Sequence, residues 1–216
     1  MKGLFLKDFA LMKNQLHSVW IIIPVAVLMM ILNDDATFPV VYSIVLAGMI
    51  GMGSISYDAF DNGNAFLFTL PVTRKQYTME KYLFVIASVT AGTALAFLFV
   101  IVDSIRKGNG ILSSDECFFV LECVMGVLIF MAFLLPIELK FGPEKGRVAR
   151  VAIFAVIVAC VFLLKELAGN MDFTPFLEIL SQATPPMIFG VSALLCVTAL
   201  LVSYLISYKI MEKKEF

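Results

Sequence analysis

The sequence predicts an all-α integral membrane protein with six transmembrane helices, and three observations predict it. Of its 216 residues 61% are hydrophobic and only 15% are charged, against about 25% charged in an ordinary soluble domain. The apolar residues gather into six runs, each near the roughly 20 residues a helix needs to cross a bilayer. The basic residues concentrate in alternate connections between those runs. Lipid solvates such a chain where water would not, because a bilayer accepts an apolar outer face provided the backbone bonds internally.

The N-terminal arm, residues 1–15, carries Phe5, Phe9 and Met12, continued by Leu16, at i, i+4, i+7 and i+11. Lys2, Lys7, Asp8, Lys13 and Asn14 lie mostly elsewhere around the wheel. That pattern predicts an amphipathic helix with a basic face lying in the inner membrane interface; the alternative is a plain extension of the first span. Its scattered charges, with no small-residue cleavage site after the first apolar run, do not read as a cleavable signal peptide.

The first span covers about residues 16–32, with Pro24 inside it and Trp20 placed for the headgroup level. The second, 38–57, is rich in small residues (Ala47, Gly48, Gly51, Gly53, Ser54, Ser56), which let helix backbones approach closely in lipid. The third to sixth spans are 82–102, 117–137, 148–164 and 187–208. Between the fifth and sixth, "PFLEIL" (Pro175 to Leu180) precedes the Pro185–Pro186 pair. Proline suits a first helical turn, so a short external helix is expected there.

Orientation follows from the positive residues. The arm, the connection after the second span, the connection after the fourth and the tail together hold 13 of the 16 basic residues. The other side holds only Arg106, Lys107 and Lys165. Both termini and the 56–83 segment are therefore expected in the cytoplasm.

Most catalytic chemistry is excluded. The single histidine, His17, sits at an interface and cannot supply H-E-x-x-H or a multi-histidine metal site. The dipeptide Gly-Lys never occurs, so there is no phosphate-cradling P-loop, and there is no G-x-S-x-G. Cys117, Cys123, Cys160 and Cys196 form no C-x-x-C pair and read as small buried hydrophobes. A net charge of −1 offers no footprint for nucleic acid. Glu122 is the clearest intramembrane charge; it either lines a polar cavity or reaches the outer interface.

The segment "SYDAFDNGNAFLFTLPVTRKQYTMEKYL" (Ser56 to Leu83) is the long polar and aromatic interruption of the apolar pattern. Asp58 or Asp61 can cap a helix start. Phe60, Phe66 and Phe68 are large apolar side chains in a connection expected to be cytoplasmic. Aromatics rimmed by polar groups mark partner sites, unless the segment folds back onto its own bundle. Pro71 stops the segment, and Arg74, Lys75 and Lys81 hold the next helix at the inner headgroups.

With its basic amphipathic start, "LPVTRKQY" (Leu70 to Tyr77) followed by "EKYL", "KFGPEKGR" (Lys140 to Arg147) and the tail "MEKKEF", the chain resembles the membrane subunits of bacterial type-2 ABC transporters. The likeness is to the small stand-alone permease branch and spans essentially the whole chain, with only these loops distinctive. It implies a permease without its own motor in the bacterial cytoplasmic membrane. Two permease chains, identical or different, would pair, each with a separate cytoplasmic ATPase that binds ATP and magnesium; no cofactor is expected in this chain. The arm would be the elbow helix, and the loop after the second span the coupling helix. Within that loop Asp58, Phe60, Asp61, Phe66, Phe68, Arg74 and Lys75 are the expected docking residues. Gly48, Gly51, Ser54 and Glu122 are expected in helix packing or along the path. The resemblance further implies export, with hydrophobic or antimicrobial peptides as one cargo class. The rival reading is a non-transporting resistance or sensory subunit that binds a partner; an intramembrane enzyme is disfavoured by the missing catalytic constellation.

Overall fold

The computed structural model describes the chain apart from residues 1, 34, 60–62, 109, 111, 169–183, 215 and 216, and without the side chains of 2, 14–22, most of 143–168 and 185. Among the described residues the regular elements are six α-helices: α1 (Lys2–Asn33), α2 (Thr37–Ala59), α3 (Gly63–Leu67), α4 (Arg74–Lys107), α5 (Ser114–Ala168) and α6 (Pro185–Lys213).

Local sequence accounts for their ends. Thr73 and Gln76 form a capping box at the start of α4, each side chain accepting a hydrogen bond from the other's backbone N–H. Ser113 and Glu116 repeat the device before α5, at 3.2 and 2.8 Å. Each box satisfies two amides that a helix start leaves unpaired. Within α5 the backbone breaks at Gly142, where φ is 73° and ψ −175°, a region essentially open to glycine alone. Pro143 then opens the second limb, the position where its missing N–H does no harm.

A proline and the Gly142 break also explain how α5 and α6 are joined. Pro136 has no N–H for the carbonyl of Ala132, and the break at Gly142 ends the first limb and leaves the carbonyl of Leu139 without a helical partner. Both of these carbonyls accept instead from α6 or the residue that ends it: Ser203 Oγ donates to Ala132, and Lys214 Nζ, just past the helix, donates to Leu139 at 2.7 Å. Ser203 and Ser207 further share hydrogen bonds with the Tyr82 hydroxyl of α4.

Helix α2 is central, touching α1, α3, α4 and α5. Its small residues make this possible. A Cβ on Gly48 would lie 2.6 Å from Met131 Cε, and one on Gly51 would lie 2.7 Å from Ser88 Oγ. Across the interface, a Cβ on Gly92 of α4 would meet Ala47 Cβ at 2.5 Å and the Ser43 carbonyl oxygen at 2.9 Å. Val40, Ile44 and Met52 of α2, Val85 and Val89 of α4, and Met131 and Leu135 of α5 fill the core around these contacts.

Four helices are long and apolar enough to cross a membrane among the described residues: Thr37–Ala59, Arg74–Lys107, Ser114–Gly142 and Pro186–Lys213. They contain the expected second, third, fourth and sixth spans, but α4 starts eight residues before the expected Tyr82, its entry turn stabilised by the Thr73 cap. The expected first and fifth spans fall on α1 and on the second limb of α5. The arm expected as a separate elbow is continuous with the first span in one 32-residue helix, since no glycine or proline interrupts residues 4–23. The short external helix expected at 175–180 lies outside the described residues.

Gly92→Ala is expected to lower stability by about 1–3 kcal/mol, because the new methyl meets backbone that cannot step aside. Gly126→Ala, with open space around its Cβ, should be neutral or mildly stabilising. Thermal unfolding of both variants in detergent checks the contrast.

Candidate functional site

One end of the bundle gathers the N-terminal arm, the α2–α4 connection, the Gly142 break and the C-terminal tail. At its centre is a buried ion cluster from three helices. Lys81 of α4 bonds Asp8 of α1 and lies 2.6 Å from Asp58 Oδ2 of α2. Lys7 of α1 also bonds Asp58 and lies 3.2 Å from Asp8 Oδ1. Lys81 donates to Ser54 Oγ at 3.2 Å and sits 5.2 Å from the Tyr77 ring centroid. The Asp8, Glu80 and Lys81 side chains are fully enclosed, and Asp58 nearly so. Glu80 lies 3.6 Å from Lys81 as a third carboxylate.

Burial alone would raise the Asp8 carboxyl, but Lys81, with Lys7 behind it, holds it below the usual carboxylate range. In such an enclosed site two charges repay their desolvation only through close mutual contact. The cluster thus ties the arm to the ends of α2 and α4 at a single point.

Two further links surround it. Arg74 Nη1 donates to the carbonyls of Met211, Glu212 and Lys214 at 2.6–2.8 Å, meeting the unpaired acceptors and negative dipole at the end of α6. Ser56 donates to Glu138 of α5 at 2.8 Å. The Glu138 carboxylate lies 2.6 Å from where a Cβ on Gly146 would stand, so a larger residue at 146 would make that side chain move.

Above this base sits α3. Leu67 is buried, and Phe68 meets the Tyr77 ring edge-on at 5.6 Å with the Arg74 guanidinium 5.9 Å from its centroid. Phe66 faces outward, 71% exposed, with Leu70 and Tyr57 about half exposed and Lys75 also exposed. The segment thus presents an apolar surface while its neighbouring residues anchor it.

The expected docking residues therefore separate. Phe66 and Lys75 are on the outer surface; Asp58, Phe68 and Arg74 are engaged within the chain; Phe60 and Asp61 lie outside the described residues. Gly48 and Gly51 are at the α2–α4–α5 contact, and Ser54 is a ligand of Lys81. Glu122 accepts from Ser192 Oγ at 3.1 Å, joining α5 to α6 away from this end.

Sequence reasoning missed Asp8, Glu80, Ser56 and Glu138. The signal for Asp8 was its spacing: it lies four residues after Leu4, which is also buried, whereas Phe9, placed on the apolar stripe, is 60% exposed. Lys81 was read as a headgroup anchor, because a lysine near a predicted span end normally reaches for phosphate.

A family profile described as "ABC-2 family transporter protein" matches residues 3–212. The chain belongs to the ABC-2 transporter family. No curated protein and no solved structure matches it. Membership makes the chain the membrane permease component of a transporter, a family role that implies association with ABC ATPase subunits. Several long apolar helices make the permease a multi-pass membrane protein.

Asp8→Asn and Lys81→Met should each destabilise the permease by about 3–5 kcal/mol at pH 7, since each strands a buried charge. Because the folded pKa of Asp8 is depressed, its contribution is present above the unfolded value of about 3.9 and lost as pH falls below it. The gap in unfolding temperature between wild type and Asp8→Asn should accordingly close at acid pH.

Proposed function

We propose that the permease is the membrane half of an ATP-driven exporter, and that the face formed by Phe66, Leu70, Tyr57 and Lys75 is where a separate cytoplasmic ATPase docks. The observation that carries the proposal is the outward Phe66 on a segment whose adjacent Leu67 and Phe68 are tied down. A large exposed aromatic ringed by polar groups is the usual form of a binding hot spot, and a rigid base lets a push on it reach the helices.

On this reading the end with both termini is cytoplasmic, as the charge bias favours, and the first and fifth apolar segments complete six spans. Two permease chains, alike or different, pair around the path. ATP and magnesium are held by the ATPase, whose closure moves α3. Arg74 and the Lys81 cluster carry that displacement to the ends of α1, α2, α4 and α6, and Ser56–Glu138 carries it to α5. Such a rigid-body shift of packed helices is the ordinary way a local contact alters the far side of a bundle. Hydrophobic or antimicrobial peptides are the cargo class that the loop resemblance favours.

Phe66→Asp should weaken co-purification with the ATPase subunit by at least about tenfold while leaving thermal stability unchanged. Phe68→Asp should instead lower stability, because its ring is packed on Tyr77 and Arg74. Undiminished ATPase capture by a folded Phe66→Asp permease would contradict the docking assignment, and a permease that never recruits an ATPase would favour the resistance or sensory reading.

A further inference from the structure

The groove between α5 and α6 at the end that carries the termini has a division of chemistry that docking does not use. Toward the middle of the bundle it is largely apolar, lined by Ala132, Phe133, Pro136, Ala199, Val202 and Ile206, with Ser203 engaged by Tyr82 and the Ala132 carbonyl. It continues past Ile206 into a basic hollow lined by Lys140, Lys209, Ile210, Lys213 and Lys214. The change occurs at one level on both walls: Pro136 gives way to Lys140 on α5, and Ile206 to Lys209 on α6. From Val202 to Lys213 the groove runs about 16 Å along the helix.

The lysines are not consumed by the fold. Lys214 is occupied by the Leu139 carbonyl, but Lys140, Lys209 and Lys213 are exposed, Lys140 resting 5.2 Å from the Phe141 ring centroid. No acidic side chain lines the hollow among the described residues. Arg74 also covers the terminal carbonyls of α6, which would otherwise oppose an anion at that helix end.

We propose that this groove binds one anionic phospholipid, its phosphate held by Lys140, Lys209 and Lys213 and an acyl chain laid against Ala132, Pro136, Val202 and Ile206. An apolar trough ending in a basic pocket between membrane helices matches the two halves of such a lipid, and the charge excludes a zwitterionic one from equal affinity. The proposal rests on the multi-pass membrane assignment and not on ATPase docking, so either can fail alone.

The test is native mass spectrometry of the detergent-purified permease titrated with phosphatidylglycerol or phosphatidylcholine, with glycerol phosphate as a soluble control. Wild type should retain one phosphatidylglycerol in preference to phosphatidylcholine and show no equivalent binding of glycerol phosphate. Lys140→Ala/Lys209→Ala/Lys213→Ala should weaken phosphatidylglycerol on the order of a hundredfold with phosphatidylcholine unaffected. Val202→Trp keeps every lysine but fills the trough, and should also release the lipid; it decides the question if the triple variant does not fold. Unchanged phosphatidylglycerol affinity in Val202→Trp, or glycerol phosphate binding as tightly as the lipid, would overturn the proposal.

Discussion

A single ammonium group, that of Lys81, organises the end of the permease where its connections meet. It is enclosed by protein and shared between Asp8 and Asp58, carboxylates from helices on either side of it. In a low-dielectric interior an ion has few tolerable environments, so α1, α2 and α4 must converge at one geometry to provide this one. Hydrophobic packing against α4 is less discriminating, because one apolar face can slide over another at modest cost. The ions define where the arm ends up relative to the α2–α4 connection, and hence what α3 stands on.

Elsewhere the fold is a study in satisfied backbone. In lipid an unpaired carbonyl is expensive, and α5 creates two, one at Pro136 and one at the Gly142 break. Ser203 of α6 and Lys214 just past it supply the missing donors, so α6 is held to α5 at two levels by polar contacts that a purely apolar helix pair would lack. Arg74 closes the other side of α6 by taking its terminal carbonyls. The tail is thereby fastened to the α2–α4 connection, although it is remote from it in sequence. In this way the helices are tied by polar contacts at one end as well as by the core between them.

The helical class and the positions of four spans were legible from hydropathy because a bilayer imposes length and apolarity together. The small face of α2 was legible too, since close helix approach demands residues such as Gly48 and Gly51. The polar wiring was not. Asp58 and Arg74 were read as surface groups because a charge beside a span end is ordinarily solvated, and only the fold shows that Asp8 and the α6 carbonyls arrive to meet them. The continuity of α1 is the alternative that the sequence left open: amphipathic and apolar stretches favour two helices, but residues 4–23 contain no glycine or proline to separate them. Phe66 and Phe68 are equal in composition, and only packing distinguishes the outward ring from the anchored one.

The most direct test is whether the Lys81 cluster holds α3 at a fixed distance from the N-terminal arm. Spin labels at Phe9→Cys and Phe66→Cys, in a background with Cys117, Cys123, Cys160 and Cys196 replaced, would report that distance by double electron–electron resonance. The account predicts one narrow distribution with Lys81 present and a broad or shifted one in Lys81→Met. An equally narrow, unshifted distribution in the variant would contradict it.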